Sequence, residues 1–225
     1  MSNTKPGRMF IAAVQRFSLI EYPGKISCVV FTQGCNFRCS YCFNPELIPI
    51  RKGIIAESEV LSFLERRRSL LDAVVLTGGE PLLHEIADFI NAIKQNFLVG
   101  LVTNGSFPER LLHVIDSIDF VAMDVKAPPH KYENVVGVKI SPEKIMKSIS
   151  IIMKKAKDYE FRTTVIKTLS KEDVIDIGRM VEGAKKLVLQ RPRSAKGVYV
   201  SPRESTEIEE LRRKLERYVQ KCIVR

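Results

Sequence analysis

Cysteine is scarce here, with five in 225 residues. That is far too few for a disulfide scaffold. Long apolar runs are missing too. No stretch of about 18 apolar residues occurs, so no transmembrane helix is expected. Residues 1–8 are polar and no signal-type apolar stretch follows them, so no secretory leader is expected. The expected setting is a reducing cytoplasm, where cysteines ligate metals more often than they pair. There is no repeat of fixed short period, no low-complexity tract and no Ser/Gly linker. Histidine is rare as well. His84, His113 and His130 show no metal-pair spacing, and surface or capping roles are expected for them.

What is present is ordinary for a globular chain: 45% hydrophobic and 28% charged residues. Disorder is excluded by that hydrophobic content. The length fits one domain spanning 1–225. A short N-terminal extension, about 1–16, and a C-terminal helix, about 204–222, would flank its core. Lys plus Arg is 36 against 26 for Asp plus Glu, a formal net charge of +10. Such an excess suits an acidic partner, an anionic cofactor or nucleic acid, and equally a solvated surface. The run Arg66-Arg67-Arg68 falls in an amphipathic helical pattern and reads as a solvated face.

Short, apolar, mostly unalternated segments recur at 26–32, 73–76, 98–102, 120–125, 161–166 and 186–189. Strands of a covered parallel sheet look like this. Helical patterns separate them. Ile86, Phe89, Ile90 and Ile93 have helical spacing, as do Ile145, Ile149, Ile152 and Met153 behind an N-cap signal at Ser141-Pro142-Glu143. Val174, Ile177, Met180 and Val181 give another. Leu211, Leu215, Tyr218 and Cys222 form the stripe of a last one. Six strand–helix units over about 200 residues take about 33 each, near the ~30 of a βαβ unit. A full eightfold barrel takes about 250. The expected fold is α/β, a partial (β/α)6 TIM-like barrel. An open doubly wound sheet is the alternative.

The first strand runs into Gly34-Cys35-Asn36-Phe37-Arg38-Cys39-Ser40-Tyr41-Cys42-Phe43-Asn44-Pro45. Three thiolates within eight residues can hold three corners of a four-iron cluster, whose full protein ligation takes four cysteines. The fourth iron is then open to oxygen or nitrogen donors. A structural zinc site needs four ligands. No histidine is near, and Cys28 lies in an apolar strand, where a core role is expected.

In a parallel barrel, functional groups gather at the C-terminal strand ends. Five such ends carry polar residues. The second strand ends in Gly78-Gly79-Glu80-Pro81, where two glycines permit close backbone approach or positive φ. The third ends in Thr103-Asn104-Gly105. Asp124 and Lys126 follow the fourth, on one side by alternation. Arg162 and Thr164 share a face of the fifth, where a charge needs a partner or a ligand. Gln190 closes the sixth.

The spacing C-x3-C-x-Φ-C, with Tyr41 at Φ, resembles the signature of the radical S-adenosylmethionine (SAM) enzymes. Further segments resemble one subgroup of glycyl-radical-enzyme activases, the anaerobic ribonucleoside-triphosphate reductase-activating proteins. They are F-S-L-I-E-Y-P-G-K at 17–25, F-T-Q-G-C-N-F-R-C at 31–39, A-M-D-V-K-A-P at 122–128 and Y-E-F-R-T-T-V at 159–165. The resemblance covers about residues 17–192. One departure is Phe43, which stands where relatives carry His. Val102, before the Thr-Asn-Gly turn, lacks the acid that some activases use toward a cation, so no cation site is carried over.

The resemblance implies an oxidoreductase with a [4Fe-4S] cluster on Cys35, Cys39 and Cys42, and SAM on the open iron. It implies SAM contacts from Tyr41, Gly78, Gly79, Glu80, Thr103, Asn104, Asp124, Lys126, Arg162 and Gln190. The three cysteines and Lys126 are the implied catalytic set. It further implies hydrogen abstraction from a glycine of a partner, anaerobic ribonucleotide reductase, with a reduced flavodoxin or ferredoxin as electron donor. The rival reading is a radical SAM enzyme acting on a small molecule or nucleic acid, as in deazapurine synthesis or RNA modification. A non-enzymatic zinc or iron–sulfur module is a further alternative, separable by metal content.

Overall fold

The computed structural model describes residues 9–193 and 204–225. Its eight strands form one sheet: β1 (Ile11–Ser18), β2 (Ser27–Thr32), β3 (Ala73–Gly78), β4 (Leu98–Thr103), β5 (Phe120–Asp124), β6 (Tyr159–Thr164), β7 (Leu187–Gln190) and β8 (Cys222–Val224). Their order in space is their order in the chain. β1 is antiparallel to β2, and each later pair is parallel. A doubly wound sheet reverses its strand order at a switch point. This sheet never reverses, so its right-handed crossovers all fall on one side. The sheet curls into a partial barrel with free edges at β1 and β8.

Helices cover the outer side: α1 (Glu57–Glu65), α2 (Ala87–Ile93), α3 (Pro108–Val114), α4 (Tyr132–Val136), α5 (Pro142–Lys155), α6 (Lys171–Met180) and α7 (Ser205–Leu215). None of the described helices is long and apolar enough to cross a membrane. Strand alternation divides the apolar residues into two cores. Cys28, Val30, Val74, Leu76, Val99 and Leu101 face the helices in the larger one. Cys28 is fully buried there. Val29, Ala73, Val75, Phe120 and Ala122 face inward in the smaller one. Tyr22, from the β1–β2 loop, enters this inner core with its ring 5.2 Å from that of Phe120. The lower half of the barrel is therefore filled. Full burial of such side chains contributes about 1.5–3 kcal/mol each.

The six expected parallel strands are β2 to β7. Three expectations need correction. The extension at about 1–16 holds β1 from Ile11 onward, paired with β2; residues 1–8 lie outside the described residues. The C-terminal helix ends at Leu215, not near 222. Backbone bonds from Gly183 N–H to the Tyr218 carbonyl and from Gln220 N–H to the Ala184 carbonyl turn the chain there. Cys222 then enters β8 beside β7. Arg66-Arg67-Arg68 lies past the end of α1, in the turn that brings Asp72 N–H to the Ile26 carbonyl. Ser141 is the N-cap of α5 as expected, but its hydroxyl bonds Glu143 and makes no cap bond.

Candidate active site

The C-terminal ends of β2 to β7 open on one cavity of about 600 Å³. All the residues singled out above line it: the three cysteines, Tyr41, Gly78, Gly79, Glu80, Thr103, Asn104, Asp124, Lys126, Arg162 and Gln190. Each strand delivers its polar residues just where its apolar run stops. That is why groups up to 155 positions apart in the chain share a wall.

The cysteine loop follows β2 and is held from two sides. Gly78, at φ +119, lies against the Thr32 backbone at the end of β2, and Gly79 lies against the loop backbone at Gly34. A Cβ on Gly79 would stand 1.9 Å from the Gly34 carbonyl oxygen. The N–H groups of Gly79 and Glu80 donate to the Thr32 and Gly34 carbonyls at 2.9 and 2.8 Å. The close approach that these glycines permit is thus to the chain's own backbone. On the other side, Asn104 Nδ2 donates to Asn36 Oδ1 at 3.0 Å, and Asn36 Nδ2 donates to Ser106 Oγ at 2.9 Å. Asn104 Nδ2 also lies 4.0 Å from Cys35 Sγ.

Glu80 is almost fully buried. Its carboxylate accepts from Leu82 N–H at 3.0 Å, Thr103 Oγ1 at 2.7 Å and Asn104 N–H at 2.7 Å. Burial pushes its pKa up to about 7, against the pull of these donors. Glu80, Thr103 and Asn104 therefore weld the β3 and β4 turns together while facing the cavity. Of the surface or capping roles expected for His84, the structure shows capping: it is the C-cap of the 3-10 turn Pro81–Leu83, its backbone N–H donating to the Pro81 carbonyl. It is buried, and its Nε2 lies 2.8 Å from the Gln33 carbonyl, tying this turn to the loop.

Lys126 Nζ lies 3.1 Å from Asp124 Oδ2 and 5.9 Å above the Tyr41 ring. Burial works against the lysine's charge, but the Asp124 carboxylate holds its pKa well above the usual value. Lys126 is thus a fixed cation on the cavity wall. Arg162 Nε donates to Glu160 Oε1 at 2.8 Å, and Nη1 lies 3.4 Å from Glu21 Oε2. Among the described residues nothing bonds its buried Nη2.

Do these residues fit a four-iron cluster and SAM? The three cysteines share the cavity wall and none is in a disulfide. Among the described residues, no three His, Cys, Asp or Glu side chains converge on a single metal ion. A cubane asks for no such convergence, since each thiolate takes a different iron. Burial pushes the Cys35 thiol up to about 11 and raises that of Cys39, so loading must displace protons. The charged Lys126 and the spare N–H of Arg162 suit an anionic group of a ligand. The donor set fits.

Several residues at the site were not singled out. Asn36 and Ser106 position the loop. Glu160, wholly buried, takes Arg162, both terminal nitrogens of Arg225 and Lys186. Arg225 also lines the cavity. The alternation that faces Arg162 and Thr164 inward faces Glu160 inward too, so that signal was available. Arg225 carries no local signal, and Glu21 lies in the 17–25 segment, which assigns it no role.

A model of the radical SAM superfamily matches residues 29–181. A Methanocaldococcus jannaschii protein, whose name proposes a glycyl-radical enzyme activating enzyme, is 31% identical over 236 positions, covering 97% of this chain and 96% of its own. A 7-carboxy-7-deazaguanine synthase of Methanopyrus kandleri is 32% identical over 133 positions, covering 49% of this chain and 53% of its own. The solved structure of a radical SAM methyltransferase from Sphaerobacter thermophilus matches with a TM-score of 0.72 at 17% identity, covering 91% of this chain and 67% of that one. That likeness concerns the fold.

Proposed function

Because the chain belongs to the radical SAM superfamily, we propose that it activates a glycyl-radical enzyme by removing a hydrogen atom from a glycine Cα of that partner. It is a radical SAM enzyme, with a [4Fe-4S] cluster and SAM as its cofactors. The observation that carries the activase reading is the similarity to the Methanocaldococcus jannaschii protein, which runs the length of both chains. Similarity to the deazaguanine synthase stops at about half of each. The segments at 17–25, 122–128 and 159–165 support anaerobic ribonucleotide reductase as the partner. A reduced flavodoxin or ferredoxin is the proposed electron donor.

When bound, the cluster and SAM supply one-electron cleavage of the sulfonium and a 5′-deoxyadenosyl radical. The chain's own residues position and confine. Cys35, Cys39 and Cys42 would hold three irons. Asn36, Asn104 and Ser106 keep their loop against the β4 turn. Lys126, held charged by Asp124, would meet the SAM carboxylate, and Tyr41 would pack beside it. Gly78, Gly79, Glu80 and Thr103 would form the wall at the SAM amino group, and Gln190 would reach the adenine edge. Arg162 would offer its spare N–H to an anionic group. The inner core beneath Tyr22 closes the bottom of the barrel, so a glycine must enter from the mouth or the open side.

The test is isotope transfer. With the partner labelled by deuterated glycine, the 5′-deoxyadenosine formed should carry deuterium. Unlabelled 5′-deoxyadenosine from an active mixture would turn the search to another substrate.

A further inference from the structure

A second cleft, also of about 600 Å³, lies behind the cysteine loop. Its walls include Asn36, Phe37, Phe107, Ile140, Lys139 and Lys144. Phe37 lines the catalytic cavity as well. The loop that carries the cluster ligands is therefore the partition between cavity and cleft, and Asn36 and Phe37 stand between two of those ligands in the chain. The lining is mixed: apolar side chains such as Phe107, Val138 and Ile140 alternate with polar ones, and two lysines stand against one carboxylate, Glu133. Lys139 and Lys144 are exposed, as is Arg38, whose N–H donates to the Val136 carbonyl next door. The nearby carboxylates are engaged: Glu133 accepts from Ile140 N–H, Glu143 bonds Ser141, and Glu109 pairs with Lys147.

A radical SAM enzyme needs one electron per cleavage. Outside the loop only Cys28 and Cys222 remain, and both are buried, so the chain has no ligand set for a second cluster of its own. The electron must come from another protein. The catalytic cavity has to hold SAM and the substrate, which leaves a donor to approach from elsewhere. The cleft reaches the ligand loop at Asn36 and Phe37, from the side away from that cavity.

We infer that this cleft is the docking face for an acidic, flavin-bearing one-electron carrier of the flavodoxin type. Lys139 and Lys144 meet carboxylates around its flavin, and Phe107 and Ile140 meet the flavin's apolar edge. Complementary charge of this kind sets approach and orientation. One electron passes from carrier to cluster: the carrier is oxidised, the cluster is reduced, and no bond forms or breaks. The inference rests on the donor proposed above and on nothing about the glycyl-radical partner.

The probe is a recombinant bacterial flavodoxin, and the enzyme is cluster-loaded. Calorimetry at about 20 mM salt should show binding that is lost near about 300 mM, as screening requires. The double variant Lys139→Glu/Lys144→Glu should bind at least about tenfold more weakly. Its SAM cleavage driven by reduced flavodoxin should fall by a similar factor, while cleavage driven by dithionite is unchanged. The control Lys154→Glu/Lys155→Glu, at the far end of α5, should bind as wild type does. No binding by wild type, unchanged binding by the first variant, equal loss in the control, or a fall in dithionite-driven cleavage would each overturn the inference. A partner that gains no radical while these results hold would sink the activase reading and leave this one standing.

Discussion

At Gly79 there is no room for a side chain. A Cβ there would meet the Gly34 carbonyl oxygen at 1.9 Å, a clash of backbone against backbone that no rotamer relieves. Overpacking costs typically 1–3 kcal/mol. We expect Gly79→Ala at the top of that range, about 3 kcal/mol, or roughly 6–12 °C in Tm for a chain of this size. The relief available is to push the cysteine loop outward. Iron content after anaerobic reconstitution should therefore fall along with Tm. A variant that keeps both would show that the loop does not lean on this turn. Asn36 belongs to the same logic. It has no chemistry of its own toward iron, but it ties the loop to Asn104 and Ser106.

At the scale of elements, α6 has an unusual start. Ser170 and Asp173 form a reciprocal capping box. The Asp173 carboxylate also takes Lys131 Nζ at 2.6 Å and His130 Nε2 at 3.1 Å. It therefore fastens α6 to the segment after β5. Burial pushes this carboxyl up, but the bonds from Lys131 and Ser170 outweigh it and bring the pKa from 3.8 down to about 2. A carboxyl whose pKa is lower folded than unfolded stabilises the fold above its unfolded pKa. That contribution is present above about pH 4 and lost as pH falls toward 2. Discounted for the solvent around Lys131, it is on the order of 1 kcal/mol. The gap in unfolding free energy between wild type and Asp173→Asn should thus be open at pH 5 and narrow by pH 2.5. A gap that does not change with pH would assign Asp173 to packing alone.

What could be read from the sequence, and what could not, divides along the same elements. β2 to β5 and β7 are mainly apolar runs with polar residues at the mouth of the barrel, while β6 alternates and carries Glu160, Arg162 and Thr164 on one face. Those signals are local. β8 is three residues long and shows no period. It exists because β7 has a free edge, which no local pattern reveals. β1 is largely exposed and holds its place by pairing with β2. Glu80 was legible as a site residue but not as the weld between two turns, since its partners lie on β4. The pairs Glu21–Arg162 and Glu160–Arg225 span 141 and 65 positions. Long-range pairs of this kind appear only once the strands are in register.

For the whole molecule, the arrangement is a half-open barrel with its lower half filled, a polar cavity at its mouth and a thin cysteine loop between that cavity and an outer cleft. The loop can face a substrate on one side and an electron carrier on the other. The +10 net charge suits long-range attraction of an acidic carrier. The central claim is that the radical made in this cavity ends on a glycine of another protein. Electron paramagnetic resonance tests it most directly, on anaerobically reconstituted enzyme with dithionite, SAM and anaerobic ribonucleotide reductase. The expected result is a glycine-centred doublet on the reductase, absent with Cys39→Ala. Cleavage of SAM to 5′-deoxyadenosine with no doublet on the reductase or on any other glycyl-radical enzyme supplied would contradict the claim.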